Sequence, residues 1–232
     1  MNTKVADPRL AEIRLRHGAG SYEGEGDVPA TASLCVMQWV AVLAGAKGGK
    51  ITDSPPCASR VIGRFCISCN DRWNDENRQK LVAIIPELLD SAASPEVEQK
   101  RRWHFADFAI RTVLPWLCDK RGETERAAKL RALAPVSDRA TAELARQEAR
   151  SLREFYWGTW YAADAADAAD AAAAADADAA AAAADAAAAA AAIKAGHNSQ
   201  EIRGEMADLC IGAIRGALAI RDEKISGTEV VS

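Results

Sequence analysis

Apolar residues recur at helical spacing along most of this chain, and strand-like alternation is absent. Val61, Ile62, Phe65, Cys66, Cys69 and Trp73 share one helical face, Leu81, Val82, Ile84 and Ile85 form the next inward group, and Phe105, Phe108, Ala109, Val113 and Trp116 a third. From Ser33 to Ala44 the sequence is almost wholly apolar and stops at Gly45, which predicts a helix buried on nearly all sides. Gln38 is its one strongly polar member, and a buried amide must find partners. The expected fold class is all-α: a multi-helix bundle.

Polar and conformationally restricted residues punctuate these runs. A short leader helix is expected around Leu10 to Leu15, followed by a loop with Gly18, Gly20, Gly24, Gly26 and Pro29. In Thr52-Asp53-Ser54-Pro55-Pro56, Asp53 or Ser54 is placed to cap the next helix. Asn74-Asp75 caps another, and Ser94-Pro95-Glu96 supplies cap, N1 proline and an acid at the positive helix pole. Pro115 is expected to bend or end the helix it sits in, and Thr124 to Leu133 forms one more before Pro135.

Between Ala162 and Ala192 the pattern collapses to two residue types, 25 alanines and six aspartates. Alanine is the best helix former, and the run exceeds the roughly 12 to 15 residues at which isolated helices become marginal. A straight helix over this segment would span about 46 Å. At about 100° per residue, Asp164, Asp167, Asp170, Asp178 and Asp185 share roughly one third of the circumference, leaving a methyl-lined face suited to close packing. Asp176 breaks that pattern, and Gly158 is the expected kink between this segment and helical sequence that begins at Asp138.

Lys194 and Gly196 end the alanine segment, and Asn198-Ser199 with Glu201 start a final helix. Its face is Ile202, Met206, Leu209, Ala213 and Ile220, with Gly212 and Gly216 beside it, and it is expected to pack on the alanine helix. The predicted organisation is a helical core domain over 1–135, a helical hairpin or oligomerisation appendage over 136–222, and a disordered tail over 223–232.

Composition changes this picture little. At 232 residues and 49% hydrophobic, the chain can bury a sizeable core. The net charge of -4 arises in the alanine segment, because outside its six aspartates 29 basic residues face 27 acidic ones. That balance gives no expectation of nucleic-acid binding. The amino terminus leads into Asp7, Arg9 and Glu12 and no apolar run spans a membrane, so a cytoplasmic protein with no membrane partner is expected. Six cysteines then read as mostly buried thiols.

Candidate chemistry centres on a few residues. Cys35 falls in the first turn of the buried helix, where the macrodipole favours a thiolate, and His17 precedes it across the loop, as a nucleophile pair would require. No nucleophile signature surrounds Cys35, and core packing is the competing reading. Cys66 and Cys69 have zinc half-site spacing, with Cys57 and His104 as possible completing ligands, but a second close pair is missing. On a helix they share the core face. No residue is assigned a catalytic or metal-binding role, and no cofactor is expected.

His17-Gly18, Cys35-Val-Met-Gln-Trp-Val-Ala, Thr52-Asp53-Ser54-Pro55, Ser59-Arg-Val-Ile62 and Asn70-Asp71, continuing through Ala106-Asp107-Phe108 and Pro115-Trp-Leu117, resemble an uncharacterised helical family. That family is associated with actinobacteria, other bacteria and their phages. The resemblance covers roughly residues 13 to 135 and brings no activity with it. This chain has Gln38 where members tend to have Glu, and Ser54 where they tend to have His. The resemblance points to the shared positions His17, Cys35, Asp53, Asn70 and Asp71 as ligand-binding candidates, and Gln38 joins them as a buried amide, either a network anchor or a ligand contact. The expected function is a non-catalytic interaction or small-ligand-binding protein, phage-borne, self-associating through its carboxy-terminal helices. The alternative is a cysteine-dependent enzyme or nucleotide-like ligand sensor using Cys35, His17 and Asp53.

Overall fold

The computed structural model describes residues 7–18, 22, 26–49, 51–155 and 200–221. Its elements are helical, with no strand among the described residues. In chain order they are α1 (Val36–Leu43), α2 (Arg60–Arg72), α3 (Asp75–Gln79), a 3-10 turn (Lys80–Ile84), α4 (Ile85–Leu88), α5 (Pro95–Phe108), a π turn (Ala109–Val113), α6 (Leu114–Lys120), α7 (Thr124–Arg131), α8 (Arg139–Phe155) and α9 (Gln200–Ala219). The alanine-aspartate stretch, Gly158 and Asp176, and the tail over 223–232 lie outside the described residues.

Several helix starts follow from local chemistry. Asn74 Oδ1 accepts from Asn77 N at 3.0 Å, and Ser94 Oγ accepts from Val97 N at 3.4 Å, each satisfying an amide that the first helical turn leaves without a partner. Asp138 Oδ1 accepts from Thr141 N at 2.8 Å to open α8. The cap of α2 differs from expectation. Ser59, rather than Asp53 or Ser54, accepts from Ile62 N at 3.2 Å and is the N-cap of α2.

Two other expectations are corrected. The leader forms only a 3-10 turn, Pro8–Ala11, after which Ile13 to Arg16 runs without helix and buries Ile13 and Leu15. Pro115 does not end its helix. An α-helix would give Pro115 a missing donor and a clash with the carbonyl four residues back, and the π turn over Ala109–Val113 shifts the bonding register just before it. Leu114 N–H then bonds to Ala109 O, five residues back, and the helix continues through α6.

The core is built on α2. Phe65 stacks on Phe105 of α5 with ring centroids 4.3 Å apart and meets Phe108 edge-on at 6.2 Å. All of Val36 to Val42 in α1 is buried. Val136, Ala142 and Ala145 join this core, and so do Ile202, Met206, Cys210, Ala213, Ile214, Ala217 and Leu218 of α9. The buried face of α9 therefore belongs to the same core as α2 and α5. Polar pairs fix it on both flanks: Lys80 to Asp208 at 2.6 Å, Lys120 to Glu205 at 2.7 Å, and Trp116 Nε1 to Glu205 at 3.2 Å. Of the two expected small-residue positions, only Gly216 has a neighbour within reach. A Cβ there would lie 2.6 Å from the His104 ring, whereas Gly212 faces open space.

Candidate functional site

The amino-terminal end of α1 and the carboxy-terminal end of α2 meet around Asn70. Cys35 is the N-cap of α1, not a first-turn residue. Its sulfur accepts from the Gln38 amide while its own N–H donates to Gln38 Oε1 at 3.1 Å. This is a capping box with cysteine and glutamine in place of serine and glutamate. Gln38 Nε2 donates to Ile51 O at 3.1 Å, a bond an ionised glutamate could not make. Gln38 thus has a local structural use.

Asn70 is fully buried and joins three segments. Its Nδ2 donates to Arg16 O at 2.8 Å and to Asp71 Oδ1 at 3.0 Å, and its Oδ1 accepts from Val36 N at 3.3 Å. Asp71 Oδ1 also accepts from Gly18 N at 2.9 Å, where Gly18 turns with φ of 72°. Gln79 completes the clamp by bonding Leu15 N at 3.0 Å and Leu15 O at 3.1 Å. Four of the six candidates, Cys35, Gln38, Asn70 and Asp71, are therefore brought together. Their polar atoms hold the 13–18 segment and cap α1.

The expected nucleophile geometry is not present. Cys35 is only 2% exposed, and burial pushes its thiol up from the ordinary value, with the Asp53 and Asp71 carboxylates adding to the rise. Hydrogen bonds from the Gln38 and Met37 amides act the other way without overcoming it. His17 is exposed. Cys66 and Cys69 are fully buried on the core face, and no group of three or more His, Cys, Asp or Glu side chains suited to a metal occurs among the described residues.

Asp53 lines a cleft with Ser54, Arg60, Arg64, Ile67 and Met37. Arg60 and Arg64 were not singled out by sequence, because two arginines four apart on a helix face read as ordinary solvated surface.

A second polar centre also escaped sequence reading. Glu98 Oε2 accepts from Ser59 Oγ at 2.9 Å and Val61 N at 3.1 Å, so its carboxylate sits at the positive pole of α2. Arg101, 2% exposed, donates to Ala217 O at 3.1 Å and Ile220 O at 3.0 Å at the negative end of α9, and to Ser91 O at 2.7 Å. No protein-family model, curated protein or solved structure matches the chain.

Proposed function

We propose that the protein is a non-catalytic α-helical interaction protein that self-associates through its carboxy-terminal helices. The observation that carries this reading is the use made of the candidate polar groups. Cys35, Gln38, Asn70 and Asp71 spend their hydrogen-bonding capacity on the chain's own backbone, and the Cys35 thiol is buried and held protonated. Such a cluster builds a scaffold and leaves no reactive group for a substrate. Self-association draws support from α8, where Leu144 is a large apolar side chain 61% exposed, and from the alanine-rich composition of the sequence that follows it. No described helix is long and apolar enough to cross a membrane. The resemblance to phage-borne helical proteins fits an accessory role of this kind.

Light scattering on the full chain tests the reading. The expected mass exceeds one subunit, and Leu144→Glu lowers it while the helical circular dichroism signal stays. A one-subunit mass for the unaltered chain contradicts it.

A further inference from the structure

Helix α9 is held from end to end by residues that precede α8 in the chain. At its start Gln200 Oε1 accepts from Asn74 Nδ2 at 3.0 Å, and at its end Arg101 donates to the carbonyls of Ala217 and Ile220. Lys80 and Lys120 grip its flanks through Asp208 and Glu205. Between them Ile202, Met206, Cys210, Ile214 and Leu218 recur every fourth residue as a buried stripe. The fit is close as well as matched in charge, since a Cβ at Gly216 would lie 2.6 Å from the His104 ring. The groove is thus shaped for α9 and selects it over amphipathic helices in general.

The covalent link from α8 to α9 is residues 156–199. Read from its composition, the alanine-aspartate run within that link would reach about 46 Å as a helix, and a domain of this length has a diameter of roughly 45 Å. A connection of that reach can deliver α9 to the groove of a neighbouring copy as well as to its own, with the same bonds and the same buried stripe in either case.

The described surface favours the neighbour. Stable interfaces bury about 1,200 to 2,000 Å² around an apolar centre, yet Leu144 is the one large apolar side chain left exposed among the described residues. One leucine does not make such an interface. Exchange of α9 places a whole core stripe between subunits and needs no further apolar surface.

We infer that self-association proceeds by reciprocal exchange of α9, the helix of each copy filling the groove of α2, α3 and α5 in a second copy of this chain. The inference rests on the self-association proposed above and adds its site. Full chains labelled with light and with heavy nitrogen, unfolded together and refolded as an equal mixture, test it through carbodiimide coupling of Lys80 to Asp208, which lie 2.6 Å apart. About half of the coupled peptides should join a light to a heavy chain, as random pairing of exchanged copies requires. Single-isotope coupling alone, in a sample whose mass exceeds one subunit, would overturn exchange and leave self-association standing; a one-subunit mass would overturn both. Coexpression of Lys80→Glu/Lys120→Glu with Glu205→Lys/Asp208→Lys gives a second readout. Exchange restores every charge pair only in mixed assemblies, so these should exceed the statistical half in native mass spectrometry, and a statistical half would also overturn the inference.

Discussion

Glu98 and Arg101 form a buried ion pair, Oε1 to Nη1 2.6 Å, that ties the start of α2 to the end of α9. The carboxylate answers the free amides of one helix and the guanidinium the last carbonyls of another, and the two side chains are 13% and 2% exposed. Removing Arg101 leaves the Glu98 carboxylate buried without this counter-charge and frees the Ser91, Ala217 and Ile220 carbonyls. Arg101→Met should therefore cost about 3 to 5 kcal/mol in urea unfolding. The double variant Glu98→Met/Arg101→Met should cost less than the sum of its single changes, because the interaction is lost only once.

Gly216 and Gly212 separate packing from propensity on one helix. Gly216→Ala drives a methyl into the His104 ring, whose Nε2 lies 2.9 Å from Ala213 O, and should destabilise by about 1 to 3 kcal/mol. Gly212→Ala meets nothing and should stabilise by about 0.5 to 1 kcal/mol through helix propensity. Thermal unfolding of the two variants should move in opposite directions.

Gln38→Glu removes the donor to Ile51 O. With the site only 2% exposed, burial raises the pKa of the introduced carboxyl. The protonated acid can still donate. The variant should approach the parent in stability at pH below the ordinary glutamate range and lose about 1 to 3 kcal/mol as pH rises through it, in urea titrations at several pH values.

Cys118 should give the fold an alkaline weakness. Burial and the Glu123 charge raise its thiol from 9.0 to about 11, so the unfolded chain ionises there before the folded one does. Its contribution is complete below pH 9.0 and is lost as pH climbs to about 11. The loss should be on the order of 2 kcal/mol. Cys118→Ala should flatten the urea midpoint over that interval relative to the parent.

What was legible in the sequence was local. Asn74, Ser94 and Asp138 were readable as helix starts because a cap acts within four residues, and the face of α2 because its period is intrinsic to the helix. The π turn was hidden, since a proline in a helical run signals a break unless the register shifts ahead of it. The pair Glu98 and Arg101 was hidden for another reason. Arg101 reaches residues 116 and 119 positions away, and nothing in its neighbours distinguishes it from a surface arginine. Cys35, Gln38, Asn70 and Asp71 were singled out alongside His17 and Asp53, but the bonds they make are to carbonyls and amides that side-chain sequence does not display.

The structural role of that cluster is most directly tested by the reactivity of the six thiols in the native protein. Cys57 is half-buried and the other five are buried, with Cys35 held protonated by its surroundings. Alkylation with iodoacetamide at neutral pH, read residue by residue by mass spectrometry, should label Cys57 first and leave Cys35 unmodified until the chain is unfolded. Rapid and selective labelling of Cys35 would contradict a structural role for the cluster.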